Sequence, residues 1–390
     1  MSTDTDIVIV GGGPVGAALA LALRDSGLSV TVLEARAGVT PGTSDPRPIA
    51  LSHSSRLLLE RLGAWRALAL TALTAPTAIR SIHVSQRGGF GRVAMSAADA
   101  GVPALGYVVD YNALYFAFAD AMQNAHGDYR EGARATVLQR DGDDQRIDYM
   151  RDGVAATLRA RLVVVADGGD IAGLAPPKTI AYAQHAITAR VRTALHHKNV
   201  AYERFTPEGP LALLPFGEEM ALVWMLTPER AAALQGADAS VFLAALREAF
   251  GGRLGDFIAV DQRANFPLAL RYAADAAVAG VITIGNAAQT LHPVAGQGFN
   301  LGLRDAWELA RLLRTNPVQT MVHPHIVRSY SAGRRIDRYA TIAATHGLVR
   351  LFSNDFFPLS VARGAGMTVL GCVAPARDFL ARRMIFGTRG

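Results

Sequence analysis

The chain has 390 residues, of which 50% are hydrophobic and 18% are charged, and its formal net charge is +6. This composition is typical of a folding enzyme and excludes a disordered or fibrous protein, while the length predicts two closely joined domains. The single cysteine, Cys372, excludes an internal disulfide framework and a Cys-x-x-Cys metal site, and it favours a reducing compartment.

The distribution of charge bears on partners and location. The basic residues are almost all arginine, which a GC-rich genome explains, although a basic surface also favours anionic membranes or acidic cofactors. There is no basic tract, zinc motif or helix-turn-helix pattern, so nucleic acid is not an expected partner. Residues 276–303 lack acidic and basic side chains, but their glycines, Asn286, His292 and Pro293 interrupt any membrane-spanning helix. Without a signal-peptide pattern, we expect a cytoplasmic protein, with any membrane contact peripheral at the inner membrane face.

The N-terminal pattern predicts a dinucleotide site. An apolar strand over residues 7–10 enters a glycine-rich turn, which a helix over 17–24 and a strand over 29–33 follow. The turn reads Gly11-Gly12-Gly13-Pro14-Val15-Gly16. Gly11 permits the tight turn, Gly13 lets the backbone approach a pyrophosphate, and Gly16 allows the helix to pack on the strand. The helix N-terminus stabilises phosphate charge, and Glu34 is placed to accept hydrogen bonds from ribose hydroxyls. This motif leaves open whether the nucleotide is FAD or NAD.

The next region predicts loops and helices around the first strands. Arg47 lies between two prolines, which favours a pinned side chain over a mobile surface arginine. Ser52 is expected to cap a helix that ends near residue 63, and Asp110 to open one that ends near residue 123.

A change of pattern marks a second domain. Residues 162–166 form a buried strand that leads into the turn Asp167-Gly168, which is common and by itself uninformative. From residue 182 to 267, strand-like pieces alternate with one helix near residues 239–250. This is typical of an antiparallel sheet with a helix, and it predicts an insertion into the first domain.

The most informative segment follows a third buried strand at residues 281–285. It begins Gly285-Asn286-Ala287-Ala288-Gln289-Thr290-Leu291-His292-Pro293 and continues Val294-Ala295-Gly296-Gln297-Gly298-Phe299-Asn300-Leu301-Gly302. A helix to about residue 313 comes next, with its apolar positions on one face. Small residues at the strand exit and helix entrance suit a backbone that lies against a flat ligand, and helix N–H groups would stabilise negative charge on it.

Three motifs in this order resemble the para-hydroxybenzoate hydroxylase type of flavoprotein monooxygenase, and within it the ubiquinone-biosynthesis hydroxylases. They are the opening GxGxxG, the Asp167-Gly168 turn, and the Gly-Asn-Ala-Ala … His-Pro … Gly-Gln-Gly-x-Asn segment. The wording of the last motif, with residues 209–215 and 266–270, resembles the branch that hydroxylates 2-polyprenyl-6-methoxyphenol. The chain departs from most relatives in having Asn286 for Asp, and in lacking the usual Ser and Arg after Asp167-Gly168, which puts the nicotinamide contacts there in doubt.

The resemblance implies an FAD-dependent monooxygenase with non-covalent FAD, NAD(P)H as co-substrate, O2, and a polyprenylated phenol as substrate. One oxygen atom would reach the ring through a flavin C4a-hydroperoxide, so no catalytic triad and no metal site are expected. His292 and Pro293 are the flavin-edge candidates for a catalytic role, with scaffolding the preferred reading of His292. The expected cofactor-binding residues are Gly11, Gly13, Pro14, Val15, Gly16, Glu34, Arg36, Arg47, Asp167, Gly168, Gly285, Asn286, Pro293, Gly296, Gln297, Gly298 and Asn300.

The predicted fold is α/β. A Rossmann-like FAD-binding domain is expected over residues 1–72, 100–180 and 268–330, and an α+β substrate domain with an antiparallel sheet over 73–99 and 181–267. A helical C-terminal region over 331–390 mixes apolar and arginine residues, such as Phe352, Phe356, Met367 and Arg363. This mixture fits either a membrane surface or packing in a homo-oligomer or biosynthetic complex.

Three alternatives remain open. The ring position or the aromatic substrate could differ within the same enzyme class. A flavin-dependent halogenase shares the fold, but the three tryptophans stand apart and lysines are scarce. A non-catalytic FAD-binding partner of a biosynthetic complex would explain Asn286 and the altered Asp-Gly turn.

Overall fold

The computed structural model describes residues 3–37, 47–71, 75–125, 127–168, 171–278, 280–293, 296–316, 324–352 and 357–387. The strands are β1 (Thr5–Val10), β2 (Val30–Glu34), β3 (Pro48–Ser52), β4 (Thr77–Ile79), β5 (Ser81–Gln86), β6 (Arg92–Ser96), β7 (Gly106–Asp110), β8 (Asp128–Glu131), β9 (Ala133–Asp141), β10 (Asp144–Arg151), β11 (Val154–Val165), β12 (Lys178–Thr193), β13 (Val200–Phe205), β14 (Pro210–Phe216), β15 (Glu219–Leu226), β16 (Phe257–Tyr272), β17 (Ala277–Val278), β18 (Val281–Thr283) and β19 (Gln289–Thr290). The helices are α1 (Pro14–Leu23), α2 (His53–Arg61), α3 (Ala64–Thr71), α4 (Tyr111–Gln123), α5 (Pro228–Gly236), α6 (Ala239–Phe250), α7 (Gln297–Arg314), α8 (Pro324–Phe352), α9 (Phe357–Cys372) and α10 (Ala374–Phe386), with a 3₁₀ turn at Gly285–Ala287.

The first sheet places the carboxyl ends of β1, β2, β11 and β18 together. Its order is β17-β18-β11-β1-β2-β8, and β10 and β9 extend from β11 as an antiparallel meander. The strands β18, β11, β1, β2 and β8 pair in parallel. Of these, β1, β2, β18 and the end of β11 are buried and consist largely of valine, leucine and isoleucine, whereas β8 is a polar strand at the edge. Helices α1, α4 and α7 cover one face around Leu19, Phe118 and Leu309, and the meander contributes to the cluster on the other.

The second sheet has the order β19-β16-β12-β15-β14-β13-β5-β6. Its pairs are antiparallel except for β13 with β5, which run in parallel. Helices α5 and α6 pack on one face around Trp224, Phe242 and Leu246. A small sheet, β3-β7-β4, joins the two larger ones.

Side-chain caps account for where several helices begin. The Ser52 Oγ accepts a hydrogen bond from Ser55 N at the start of α2, and Asp110 accepts one from Ala113 N at the start of α4. Both starts were predicted from the sequence and are confirmed. Thr227 caps α5, a helix that the sequence patterns did not predict.

The predicted fold class is confirmed: a Rossmann-like α/β unit carries an inserted α+β unit and a helical C-terminal region. The exact domain limits stay a prediction. The second sheet takes β5 and β6, as expected, but β16 continues to Tyr272, beyond the limit expected at residue 267, and β19 joins the same sheet. Within the described ranges, no helix is long and apolar enough to cross a bilayer.

Candidate active site

In the glycine-rich turn between β1 and α1, Gly11 and Gly16 allow close packing, whereas Gly13 faces open space. A Cβ atom on residue 16 would lie 1.9 Å from the Gly11 carbonyl oxygen, so only glycine lets α1 approach the turn. Gly11 has φ +99°, and a Cβ atom there would lie 2.8 Å from Asp167. A Cβ atom on Gly13, the N-cap of α1, would meet no protein atom within 4 Å among the described residues. Gly13 therefore borders open space at the helix N-terminus, where an anion is stabilised.

Glu34 lies beside this turn at the end of β2. It is buried, and its two carboxylate oxygens accept hydrogen bonds from Gly12 N at 2.7 Å and Arg36 N at 2.9 Å. A carboxylate has about four acceptor positions, so capacity for ribose hydroxyls remains. The Arg36 side chain is exposed, and its guanidinium carbon lies 5.5 Å from the Tyr115 ring centroid.

The Asp167-Gly168 turn follows β11 at the same sheet edge. Ala166 N donates to Val10 O at 2.8 Å, which holds the turn against the end of β1. Gly168 has φ +100°, a conformation that favours glycine, and Asp167 is exposed beside Gly11.

The third strand end carries the 285–302 segment into the same region. The Cβ positions of Gly285 and Gly302 each approach Val15 to 3.1 Å, so α1, α7 and the 3₁₀ turn pack closely. Asn286 is exposed although its neighbours are buried, and Gly298 borders open space at the start of α7. An exposed amide at the strand exit is available to accept from a ligand hydroxyl.

Asn300 is turned into the protein rather than toward ligand space. Its Oδ1 accepts from Ser52 N and Ser55 Oγ at 2.8 and 2.7 Å, and its Nδ2 donates to Ala50 O and Gly296 O at 2.9 and 2.8 Å. The amide thus makes four protein hydrogen bonds, which fill its capacity. Among the expected cofactor contacts, Asn300 is better described as the residue that fixes α7 to β3.

A buried charge network, which the sequence analysis missed, lies behind the segment. The Asp305 carboxylate accepts from Gly285 N at 3.3 Å and Gln289 Nε2 at 2.7 Å, so it holds both ends of the turn that displays Asn286. Arg334 of α8 donates to Asp305 at 2.7 Å and to Asp337 at 2.8 Å. Burial lowers the pKa of Arg334, but Asp305 and its other neighbours more than offset this and raise it. The sequence did contain an indication of this network, because Asp305 lies on the apolar face of α7, where an acidic side chain needs a buried partner.

His292 is buried behind the segment rather than at the cavity surface. Its side chain is 1% exposed, and its ring lies edge-on to Tyr182 at a centroid distance of 5.0 Å. Burial lowers the pKa of His292 to about 4, so the ring is neutral at neutral pH. Pro293, in contrast, lines the cavity described next. These positions favour scaffolding for His292 and a flavin-edge position for Pro293, and both roles stay predictions.

A cavity of about 1030 Å³ extends from the 285–302 segment into the space between the second sheet and α8–α10. At the near end it is lined by Arg47, Pro293 and residues 296–298. Much of the remaining wall is aliphatic, as at Met95, Leu214 and Leu348. Its size and lining suit a long apolar molecule, beyond the needs of one aromatic ring.

The comparisons with known proteins agree with this geometry. Residues 4–336 match the family model for an FAD binding domain. The chain is 34% identical to the ubiquinone hydroxylase UbiL of Rhodospirillum rubrum over 97% of this chain and 88% of that protein. The chain belongs to the FAD-dependent ubiquinone-hydroxylase family. It is also 32% identical to the 3-demethoxyubiquinol 3-hydroxylase of Escherichia coli, over 93% of this chain and 94% of that one.

Solved structures support the same fold. The p-nitrophenol 4-monooxygenase PnpA of Pseudomonas putida matches with a TM-score of 0.79 at 20% identity, and both chains are covered completely. A variant of Klebsiella pneumoniae HpxO in complex with FAD matches with a TM-score of 0.75 at 17% identity, over 99% and 100% of the two chains. The family assignment confirms the predicted FAD cofactor and monooxygenase class for this family member.

Within the residues described, no group of three or more His, Cys, Asp or Glu side chains is arranged to hold a metal ion. The structure gathers Gly11, Gly13, Glu34, Asp167, Gly285 and Asn286 at one sheet edge. Pro293, Gly296, Gln297, Gly298 and Arg47 lie at the near end of the cavity. The individual contacts of these residues with FAD stay predictions.

Proposed function

We propose that this family member hydroxylates a polyprenylated phenol of the 2-polyprenyl-6-methoxyphenol type, with FAD, NAD(P)H and O2. The observation that carries the proposal is the cavity: it adjoins Pro293 and residues 296–298, and much of the rest of its wall is aliphatic. An aromatic head group at the near end would leave its prenyl chain along the aliphatic wall. Burial of each CH2 group there contributes about 0.8 kcal/mol to binding.

The residues present fit FAD. Open space beside Gly13, at the N-terminus of α1, suits the pyrophosphate, and the Glu34 carboxylate suits the ribose hydroxyls of the adenosine half. Asn286 is exposed for a ribityl hydroxyl, and the backbone of residues 296–298 borders the space for the ring system. When bound, FAD supplies the electron transfer from NAD(P)H that activates O2 for insertion of one oxygen atom into an aromatic ring.

The protein supplies position and a dry environment. The aliphatic wall keeps water from the reacting ring, which protects the activated oxygen from loss to solvent. The N-terminus of α7 at Gly296 directs N–H groups toward the flavin space and stabilises negative charge there. Arg47 is held over the Phe266 ring, 5.4 Å from its centroid, at the same end of the cavity.

We further propose that the C-terminal helices rest on a membrane surface, from which a polyprenyl substrate must come. Val369 of α9, Val373 at the N-cap of α10 and Phe379 of α10 are exposed, as is Arg382 of α10. Apolar and basic side chains on one surface suit the interface of an anionic bilayer. Sedimentation with phosphatidylglycerol vesicles, but not with phosphatidylcholine vesicles, is expected; equal recovery in the supernatant with both would contradict it.

The test of the reaction is NAD(P)H oxidation by FAD-loaded protein in air, with and without 2-farnesyl-6-methoxyphenol. Products are read by mass spectrometry under 18O2. We expect phenol-dependent NAD(P)H oxidation and a product that has gained one labelled oxygen. FAD retention without phenol-stimulated oxidation, even with membranes added, would instead support a non-catalytic FAD-binding partner. A labelled oxygen at an unexpected ring carbon would move the assignment to another ring position.

A further inference from the structure

The wall that the second sheet contributes to the cavity is largely apolar, and it carries a single acidic side chain among the described residues. Residues such as Ile82 of β5, Met95 of β6, and Ala212 and Leu214 of β14 line it. Glu203 of β13 is the one acidic side chain that this sheet adds to the lining, as far as the described residues go. A carboxylate in so apolar a wall is costly unless something binds it.

Side chains alternate between the two faces of a strand, so Glu203 faces the cavity while its neighbours Tyr202 and Arg204 face α6. In register, Glu203 lies between Val84 of β5 and Ala212 of β14, which bring no charge. Arg204 donates to Ala249 O and Ser85 Oγ at 3.2 and 3.3 Å, beside α6, which lies on the opposite face. Tyr202 likewise packs against Phe250 of α6, at a centroid distance of 5.4 Å.

The other titratable groups near Glu203 contact other residues or are exposed to solvent. His83 of β5 stacks on Tyr202, at a centroid distance of 5.9 Å, and Arg92 of β6 is exposed. The helices that close the cavity also bring charged side chains to its lining: Arg304 of α7 pairs with Asp337 of α8 at 3.3 Å, and Arg383 comes from α10. Arg363 of α9 is part of the lining too, and its Nη1 donates to Leu351 O at 2.6 Å. Glu203 Oε1 is buried and has no hydrogen-bond partner among the residues that the structure describes.

A buried carboxylate oxygen without a hydrogen-bond partner is characteristic of a functional group. Its chemical complement is a hydrogen-bond donor on an otherwise apolar molecule, and a prenylated phenol carries one such donor, its hydroxyl. Building on the proposed function, we propose that Glu203 accepts the hydrogen bond of the substrate's phenolic hydroxyl and takes its proton during hydroxylation.

The proton balance of this step is closed. The phenolic O–H bond breaks, the proton joins Glu203, and the electron pair stays on the substrate oxygen, where it makes the ring more electron-rich. With NAD(P)H as the two-electron reductant, one oxygen atom of O2 joins the ring and the other leaves as water. The substituted ring carbon loses its hydrogen as a proton, which is consumed in forming that water. The original phenolic oxygen then recovers its proton from Glu203, and the carboxylate is regenerated. Burial raises the pKa of Glu203 to about 7, which matches a base that works near neutral pH.

The experiment compares wild type with Glu203→Gln, which keeps the shape of the side chain, and with Glu203→Asp, which keeps its charge. The control is Glu219→Gln, since Glu219 lies on β15 of the same sheet but outside the cavity. The binding probe is 2-prenyl-4-nitrophenol, whose phenolate absorbs in the visible range, so its bound ionisation is measured without turnover.

We expect the apparent pKa of the bound nitrophenol to fall by about one unit or more in Glu203→Gln, since the adjacent carboxylate no longer disfavours the phenolate. It should stay near the wild-type value in Glu203→Asp and Glu219→Gln. Turnover of the methoxyphenol by Glu203→Gln should fall about 100-fold, and the rise in its rate near pH 7 should disappear.

An unchanged pKa of the bound probe in Glu203→Gln would overturn the assignment, as would wild-type turnover by that variant. If Glu203→Gln does not fold, Glu203→Asp decides the matter through its probe pKa: a value lowered by about one unit or more would contradict a retained carboxylate at the phenol. If wild type does not hydroxylate the methoxyphenol but the pKa of the bound probe still falls in Glu203→Gln, the proposed function is overturned, while Glu203 remains the residue that contacts the phenol.

Discussion

Arg334 of α8 and Asp305 of α7 form a buried ion pair in which Arg334 Nε donates to Asp305 Oδ1 at 2.7 Å. Through the same carboxylate, the pair reaches Gly285 N and Gln289, on either side of Asn286. The C-terminal helices therefore support the backbone that is expected to contact FAD.

Removal of one partner of this pair should be costly. We expect Arg334→Met to lower the free energy of unfolding of the apoprotein by about 3–5 kcal/mol, because it leaves a buried carboxylate without its main cation. FAD affinity should fall as well, since the turn at Gly285 loses its support. Urea unfolding and flavin fluorescence titration measure the two effects.

The matched control is Glu248→Ala, which breaks the exposed pair of Arg87 and Glu248. That change should cost about 1 kcal/mol or less and leave FAD binding intact. Equal losses of stability in Arg334→Met and Glu248→Ala would show that the buried network does not support the site.

Two glycines of the first turn should respond differently to alanine. Gly13→Ala places its Cβ atom in open space and Gly16→Ala places it 1.9 Å from Gly11 O. We therefore expect Gly13→Ala to fold normally and bind FAD at least about tenfold more weakly, while Gly16→Ala loses stability before FAD is considered. Thermal unfolding without FAD and titration with FAD separate these effects. Gly236→Ala, in open space at the end of α5, is the control; normal FAD affinity in Gly13→Ala would remove Gly13 from the phosphate site.

His292 predicts a loss of stability in mild acid. Its pKa is lowered by burial from 6.5 to about 4, so the unfolded chain binds more protons between these values. The stability from neutral His292 is complete above pH 6.5 and is lost as the pH falls toward 4, by roughly 3 kcal/mol at 1.4 kcal/mol per pKa unit. Urea unfolding from pH 4 to 8 should show a shallower acid slope in His292→Asn than in wild type. At pH 7 the turnover of His292→Asn should fall by about tenfold or less, which is a smaller loss than removal of a general acid or base causes.

The raised pKa of Glu203 predicts that its contribution to folding stability changes with pH in the opposite direction to that of His292, over a similar pH range. Its pKa is raised by burial from 4.5 to about 7, so the folded protein binds more protons and wild-type stability falls as the pH rises between these values. Relative to wild type, Glu203→Gln should gain stability toward pH 7, by roughly 3 kcal/mol at most. The same unfolding series measures it, and a parallel pH dependence of the two proteins would contradict a buried, neutralised carboxylate.

Narrowing the cavity at an aliphatic part of its wall should select against substrates with long prenyl chains. Leu348 lines the cavity from α8, and Leu348→Trp should lower kcat/KM for a farnesyl substrate by roughly tenfold or more, because apolar burial is lost. A substrate with a single prenyl unit should be affected much less. Leu70→Trp, at a position 76% exposed on α3, serves as the control. Equal losses for both chain lengths would argue against this wall as the prenyl site.

Local spacing was enough to predict the nucleotide turn, because Gly11, Gly13, Gly16 and Glu34 act within one strand-helix-strand unit. The buried charge network was harder to predict from the sequence, because Asp305 pairs with Arg334, and only the packing of α8 brings that residue near. Even so, its position between Leu301 and Leu309 on a buried helix face was a usable signal.

Glu203 could not be identified from its own segment. In the chain it lies between Tyr202 and Arg204, which suggests an ordinary strand with a solvated charge. Its burial comes from β5, which is paired with β13 from far along the chain, and from the helices that close the cavity. Such a site exists only once the tertiary fold brings distant strands together.

The parallel pair of β5 and β13 also bears on how the chain is made. Ser81 pairs with Val200, so the hairpin of β5 and β6 leaves the ribosome well before the strand that completes its sheet. At about 5–20 residues per second, the wait is on the order of ten seconds. During that time an unpaired strand edge is open to other nascent chains. Slow codons or chaperone binding within residues 97–200 would therefore change the yield of native protein without altering any residue of the finished site.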